Sequence, residues 1–348
     1  MSQGKRTALI LAGALILSGL ILGAIALGLT GFHPFRLGGS ELEFGSQVIL
    51  EPFDRLSLGV TACDVTILPT PDGQTRVEWL AKPDLLPQVR VENGTLVILE
   101  ETAEEADKWY ERISFSSGDG PLVAVYLARP DLEALSVEGA DGDVLIQGLT
   151  VRGAAAIHIA GGDLTVEGME TFEAMDIRTT CGKVELDRVT AGSLTLKTTS
   201  GDMELRDCEA IWETDAALTV ESSSGSLLLE RVRTGDAQLH SVSGDITLRD
   251  SATSTLVLGA ASGDLLLEGV DLTNGTLYAG SGTITLDGLK AESVDISTTS
   301  GNVRGTLSGP MRYEIQTTSG RVDVPPSDHS GGRCRVLTTS GDVNLAQG

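Results

Sequence analysis

The sequence predicts an all-β chain: a β-solenoid, parallel β-helix-like, of about eleven two-strand coils of 19–20 residues. It adds an N-terminal β cap and, ahead of that, one transmembrane helix. Two observations carry the solenoid. A glycine recurs at Gly142, Gly162, Gly182, Gly201, Gly225, Gly244, Gly263, Gly282, Gly301, Gly320 and Gly341, nearly always 19 or 20 residues apart. A fixed period of that length marks a stack of repeated units. Around each glycine the residues alternate between apolar and polar, the period of a strand with one buried face. A third observation, an uncharged apolar run near the N-terminus, carries the membrane helix.

That run is Thr7–Phe32, 26 residues without a charge. As a helix at about 1.5 Å per residue it exceeds the roughly 30 Å hydrocarbon core. Lys5 and Arg6 precede it, so residues 1–6 are expected in the cytoplasm and everything beyond Phe32 outside, a single-pass cell-membrane topology. A cleaved signal peptide is the alternative, because Ala24-Ile25-Ala26 has the small-x-small form of a cleavage site. The run is longer than the usual 7–15-residue apolar core of such a signal. Residues 33–47 read as a linker.

Residues 48–130 form the expected cap. Val60–Ile67 resembles a degenerate rung with Cys63 near its turn. Val91–Ile98 reads as a hairpin around Asn93-Gly94, and Leu122–Leu127 as another strand. Thr102–Arg112, acidic first and basic last, reads as a short helix carrying Trp109.

Residues 131–348 are the repeats. Five residues before the glycine every side chain is aliphatic, from Val137 and Ile157 through Leu258 to Val336. Two residues after it every one is apolar, from Val144 to Val343. Four after it only Gly305 breaks the series. These columns should face inward. Three before the glycine, Thr179, Thr198, Ser222, Ser241, Thr298, Thr317 and Thr338 should also point inward and bond to the next rung or to backbone. The glycine itself is expected at positive φ. Cys181, Cys208 and Cys334 read as small buried residues, since free cysteine commonly packs as a small hydrophobe. With Cys63 they show no C-x-x-C spacing, so no disulfide framework is expected.

A carboxylate often follows the glycine, as at Asp143, Asp163, Asp202, Asp245, Asp264 and Asp342. Turn chemistry explains it, because Asp accepts hydrogen bonds from nearby amides. Calcium is the alternative, but it wants six to eight oxygens and the G-G-x-G-x-D repeat is missing. No cofactor is expected. Asp245 and Asp264, with Trp212 in the longer 24-residue repeat, are the candidate binding surface. Trp212 could serve as a sugar-stacking platform or simply cover a turn edge.

With 25 basic and 49 acidic residues the charge is −24, which argues against nucleic acid and against anionic membrane surfaces. His33, His158, His240 and His329 share no metal-ligand spacing. The last repeat, Thr338–Leu345, is a complete rung with only Ala346-Gln347-Gly348 after it. An open core is therefore expected at that end, covered either by a second copy end to end or by another envelope protein, unless local side chains shield it.

The charged N-terminus, the hydrophobic helix, the Gly31-Phe32 boundary, the V-T-A-C-D-V-T-I-L rung and the T-T-S-G-D-V turns together resemble the bacterial DUF4097 family of candidate adhesins. The resemblance spans nearly the whole chain and departs from the motif at Cys181-Gly182-Lys183 and Ser281-Gly282-Thr283. It implies a β-strand-repeat protein of bacterial envelopes, some members being associated with envelope-stress operons, and it supplies no catalytic residues. The expected function is non-enzymatic adhesion or cell-envelope interaction, with a membrane, an envelope protein or a glycan as partner. An envelope-stress accessory protein working through a membrane partner is the alternative. A carbohydrate-active β-helix enzyme is the second, weakened because no paired carboxylates or histidine constellation stand out.

Overall fold

The computed structural model describes residues 42–83, 85–100, 121–210 and 217–348. The expected anchor at 7–32, the expected helix at Thr102–Arg112 with Trp109, and Trp212 lie outside the described residues. Among those described there is no helix, and so none long and apolar enough to cross a membrane. They form one compact unit that begins at Leu42.

The chain winds into an all-β solenoid of about ten turns. Each turn lays one strand in each of two parallel sheets. In sheet A, Val144–Gln147 pairs with Leu164–Glu167, which pairs with Val184–Asp187, and so on along the stack. In sheet B, Ala155–Ile159 pairs with Met175–Thr179, and that with Leu194–Thr198. Register holds through these strands, with shifts at Thr171/Ala174 and Leu286/Leu289, so like residues stack at the rung spacing of about 4.8 Å. The alternating pattern sets which face is buried. Ile157, Leu196, Leu239 and Leu277 in sheet B, and Leu164, Leu227, Leu248 and Leu286 in sheet A, are all at most 3% exposed.

The first turn needs glycine for a reason that the positive-φ expectation covers only in part. Gly142, Gly162, Gly182, Gly201 and Gly225 have φ between +86° and +136°, but the six from Gly244 onward are not in the left-handed region. What all share is clearance. A Cβ on any of them would lie well inside van der Waals contact of the carbonyl oxygen of the turn below, Gly244 for Gly263 and Gly263 for Gly282. The second turn has its own column, Gly148, Gly168, Arg188, Asp207, Arg231, Asp250, Gly269 and Gly288, all with φ between +48° and +68°. Four of these are not glycine, and Arg231 clamps Asp207 one rung away through two bonds of 2.6 and 2.8 Å.

Two expectations about inward residues are corrected. Thr179 Oγ1 donates to the Cys181 carbonyl at 2.9 Å. The hydroxyls of Thr198, Ser222, Ser241, Thr298, Thr317 and Thr338 make no hydrogen bond among the described residues. Directly stacked hydroxyls stand a rung apart, beyond the roughly 2.7–2.8 Å such a bond needs. Cys181 is exposed, because it sits at the turn in the outward serine column, whereas Cys63, Cys208 and Cys334 are buried; all four are free. Burial pushes the Cys208 and Cys334 thiols up to about 12.

At both ends the order of rungs in space departs from their order in the chain. The last strands, Gly332–Ser340 and Val343–Gln347, lie between the rung of Gly301 and that of Gly320. Val303 and Val322 both pair with Val343, and Ile315 pairs with Val336, which pairs with Ile296. Val343 and Leu345 are therefore buried, at 1% and 3% exposure. The expected open core at the chain terminus is corrected: residues 311–324 end the stack. Pro325-Pro326 gives the physical reason, since prolines cannot donate to a ladder and belong on an edge. The segment that follows them folds back on the end strand. Asp328 N–H donates to the Met311 carbonyl at 2.9 Å, and Tyr313 N–H donates to Ser327 Oγ at 3.0 Å. That edge is partly closed by the chain itself.

At the other end, Arg55–Val60 and Asp64–Pro69 pair on one side with Ala134–Gly139 and Val144–Gln147, and on the other with Thr95–Glu100 and Leu122–Leu127. Rung pairing thus runs unbroken across residue 130. Three antiparallel strands cover the outer rung: Pro87–Glu92, Arg76–Ala81 and Glu43–Val48. The last, through Gln47, occupies residues expected to be linker. It is held by pairing with Arg76–Ala81, where Gly45 leaves room for the Trp79 ring. The hairpin at Asn93-Gly94 has φ of 51° and 77°, the left-handed pair expected of that dipeptide. Glu100 finishes the turn at Thr61, accepting from its N–H at 2.5 Å and its hydroxyl at 2.6 Å.

Candidate functional site

The carboxylate column is absorbed by the fold. Asp143 N–H donates to Asp64 Oδ1 at 2.9 Å, and Asp163 N–H to Asp143 Oδ1 at 2.8 Å. The same bond links Lys183 to Asp163, Ser226 to Asp202, and Thr283 to Asp264. Asp342 N–H donates to Asn302 Oδ1 at 2.9 Å, so a neutral amide performs the same task. Asp245 and Asp264 stand on neighbouring rungs at an exposed edge, and Asp245 Oδ1 accepts from Asp264 N–H at 2.8 Å. Turn chemistry explains both, extended from the local amide to the next rung. Among the described residues no group of three or more His, Cys, Asp or Glu side chains could hold a metal ion. Trp212 lies outside them, so its proximity to the two carboxylates is not described.

Opposite charges occupy the outer face of sheet A. Lys183 bonds both Glu185 and Glu204, Arg206 bonds Glu204 and lies 3.6 Å from Glu230, and Arg249 meets Glu268 at 2.9 Å. Lys183–Glu185 and Arg206–Glu204 lie within one rung, and the other pairs run from rung to rung. An open groove of about 510 Å³ near the second turn is lined by Asp131, Thr150, Arg152 and Phe172. There Arg152 forks onto Asp131 at 2.8 and 2.6 Å, a bond that holds the Asp131 carboxyl below its ordinary range. In sheet B, His158 Nε2 lies 3.2 Å from Asp176 Oδ2, which also meets Arg178 at 2.9 Å.

The outer face of sheet B changes character at the rungs of Gly244, Gly263 and Gly282. Constant register arranges nine outward residues in three rows there: Gln238, His240 and Val242; Val257, Gly259 and Ala261; Thr276, Tyr278 and Gly280. None is an acid, lysine or arginine. Val242, Val257 and Tyr278 are 47%, 46% and 44% exposed, among the few large apolar side chains that the solenoid leaves open. Small residues, Gly259, Ala261 and Gly280, lie among the larger His240, Val242, Val257 and Tyr278. Sequence reasoning centred on the recurring carboxylates and passed over this patch. Its signal was there, in outward columns that lose their charges for three repeats, but loss of charge is a fainter mark than recurrence. Asp245 and Asp264 border it, one turn beyond Val242 and Ala261.

The chain resembles several solved structures at low identity. A candidate adhesin from Parabacteroides distasonis is 13% identical, with a TM-score of 0.36 over 88% of this chain and 98% of that one. A candidate lipid-binding protein from the same species is 12% identical, with a TM-score of 0.34 over 88% and 98%. A candidate adhesin from Bacteroides fragilis is 14% identical, with a TM-score of 0.28 over 88% and 97%. No curated protein matches. The family model described as Toastrack DUF4097 matches residues 53–211 and again 212–347, nearly all of the solenoid, and the chain therefore belongs to the DUF4097 family.

Proposed function

We propose that this protein is a non-enzymatic, membrane-anchored solenoid on the outer side of the cell membrane, acting in adhesion or cell-envelope interaction. The observation that carries this reading is the fate of the polar columns. The carboxylates that could have served as acid, base or calcium ligands are engaged with backbone amides of the next rung. Many charges on the outer face of sheet A are paired with one another, and sheet B carries an outward patch without acid, lysine or arginine that is open to a partner. The apolar run Thr7–Phe32 supplies the anchor. Family membership and the adhesin descriptions of similar proteins agree with this assignment.

The test compares cells carrying and lacking the chain for adherence to glycan-coated surfaces and to one another. Release of reducing ends from wall polysaccharides is measured alongside. Adherence should fall when the chain is absent, with no release attributable to it. Unchanged adherence, or chain-dependent release of reducing ends, would overturn the proposal.

A further inference from the structure

We infer that the three uncharged rows on sheet B bind neutral sugar rings of a polysaccharide, with Tyr278 stacking on one ring and Gly259 clearing the space beside it. The inference rests on the adhesion reading and gives its surface a ligand class.

Gly259 is the first support. It lies inside the strand Ala252–Ser262, where glycine weakens a strand and often marks the close approach of another molecule. Neither φ nor packing demands it: a Cβ there would meet only His240 Nδ1, at 3.4 Å, an ordinary contact. The turn glycines, by contrast, are enforced by backbone clearance. Gly259 pairs with His240 on one side and Tyr278 on the other, so its missing side chain opens a gap between two rings.

Size and charge select the occupant. Three rows and three columns span about 13 Å by 10 Å, from strand rise and rung spacing. That is far below the roughly 800 Å² per partner of a stable protein interface, and it suits one or two sugar rings. On a chain of net charge −24, an uncharged platform favours a neutral ligand over an anionic one. Tyr278 offers an aromatic body with a polar tip, and Gln238, His240 and Thr276 offer hydrogen-bonding groups at the margin. An apolar floor with a few polar groups around it is the usual form of a small-molecule site.

The experiment uses the full chain in phosphatidylcholine nanodiscs, which avoids sugar-headed detergents. Chitohexaose, cellohexaose, mannohexaose and maltohexaose are the neutral probes, and heparin the anionic one, with binding read by calorimetry and saturation-transfer NMR. At least one neutral hexasaccharide should bind, and heparin should not. Tyr278→Ala should weaken binding about tenfold or more, as should Gly259→Val, while Tyr278→Phe stays within about threefold of the parent. The Tyr278 ring is exposed and a Cβ at 259 meets no backbone, so circular dichroism should show the variants folded. Absence of binding by every neutral probe, preference for heparin, or indifference to Tyr278→Ala would overturn the site. Adherence assays separate the two readings. Chain-dependent adherence that survives Tyr278→Ala removes the sugar site and leaves adhesion standing. Sugar binding without chain-dependent adherence does the reverse.

Discussion

Leu248 and Leu266 show how much the direction of one side chain decides. They are the same residue type on neighbouring rungs of sheet A; Leu248 is 3% exposed, and Leu266 lies on the outward, half-buried face between Thr247 and Thr285. Leu248→Asp removes a packed aliphatic chain and buries a carboxylate, costing about 4 kcal/mol or more. Leu266→Asp should cost about 1 kcal/mol. Thermal unfolding of the two variants measures the difference, and equal shifts would contradict the inward–outward assignment. Asp64 allows a second test at this scale. Its burial, opposed by the hydrogen bond from Asp143 N–H and reinforced by the Asp143 charge, leaves its pKa raised from 3.8. A carboxyl with a raised folded pKa contributes stability that is fully present below its unfolded value and is lost as pH rises through the folded value. Asp64→Asn keeps an oxygen acceptor and removes that titration. Relative to the parent, the variant should gain melting temperature as pH rises from 3 to 7. A difference between the two that does not change over that range would contradict the account.

At the scale of the element, the strands were legible because they obey a period of two within a period of about nineteen. The buried columns at Ile157, Leu164 and Val166, and the hairpin at Asn93-Gly94, lie where the pattern places them. The order of the rungs was not legible, and the reason is physical. Every rung presents the same columns, so Val343 stacks on Val303 as well as Val322 would. Pattern alone cannot choose between the two. The choice turns on the Pro325-Pro326 pair, which suits its segment to an edge and acts on the segment as a whole. The uncharged patch was harder still, because it emerges only when three distant stretches are laid side by side. Cysteine pairs report the order directly. Arg304 and Asn344 are outward partners on adjacent rungs, whereas Arg304 and Asp323 are two rungs apart. With Cys181 changed to Ser, Arg304→Cys with Asn344→Cys should form a disulfide under mild oxidation, since neighbouring rungs bring Cα atoms within the roughly 4.4–6.8 Å required. Arg304→Cys with Asp323→Cys should stay reduced. The opposite result would restore the stacking order of the chain.

For the whole molecule, a solenoid makes its surface by repetition, and repetition separates structural polarity from functional polarity. A column that recurs rung after rung, such as Asp143, Asp163 and Asp264, binds the stack to itself. A departure from the columns, such as the neutral rows around Gly259, is where a partner can be selected. The carboxylate edge and the neutral patch lie side by side on the same rungs, so the two can be altered separately within one body. Asn302 demonstrates that an amide can hold the rung-to-rung bond, so Asp245→Asn with Asp264→Asn should preserve the fold while removing both charges. Val257→Lys with Thr276→Lys alters two exposed positions of the patch and leaves the edge intact. The most direct measurement is the adherence of cells carrying each double variant, with equal surface display verified. The account predicts that the paired lysines abolish chain-dependent adherence and that the paired asparagines leave it within about twofold of the parent. Adherence lost with the asparagines and kept with the lysines would contradict it, and would return the function to the carboxylate edge.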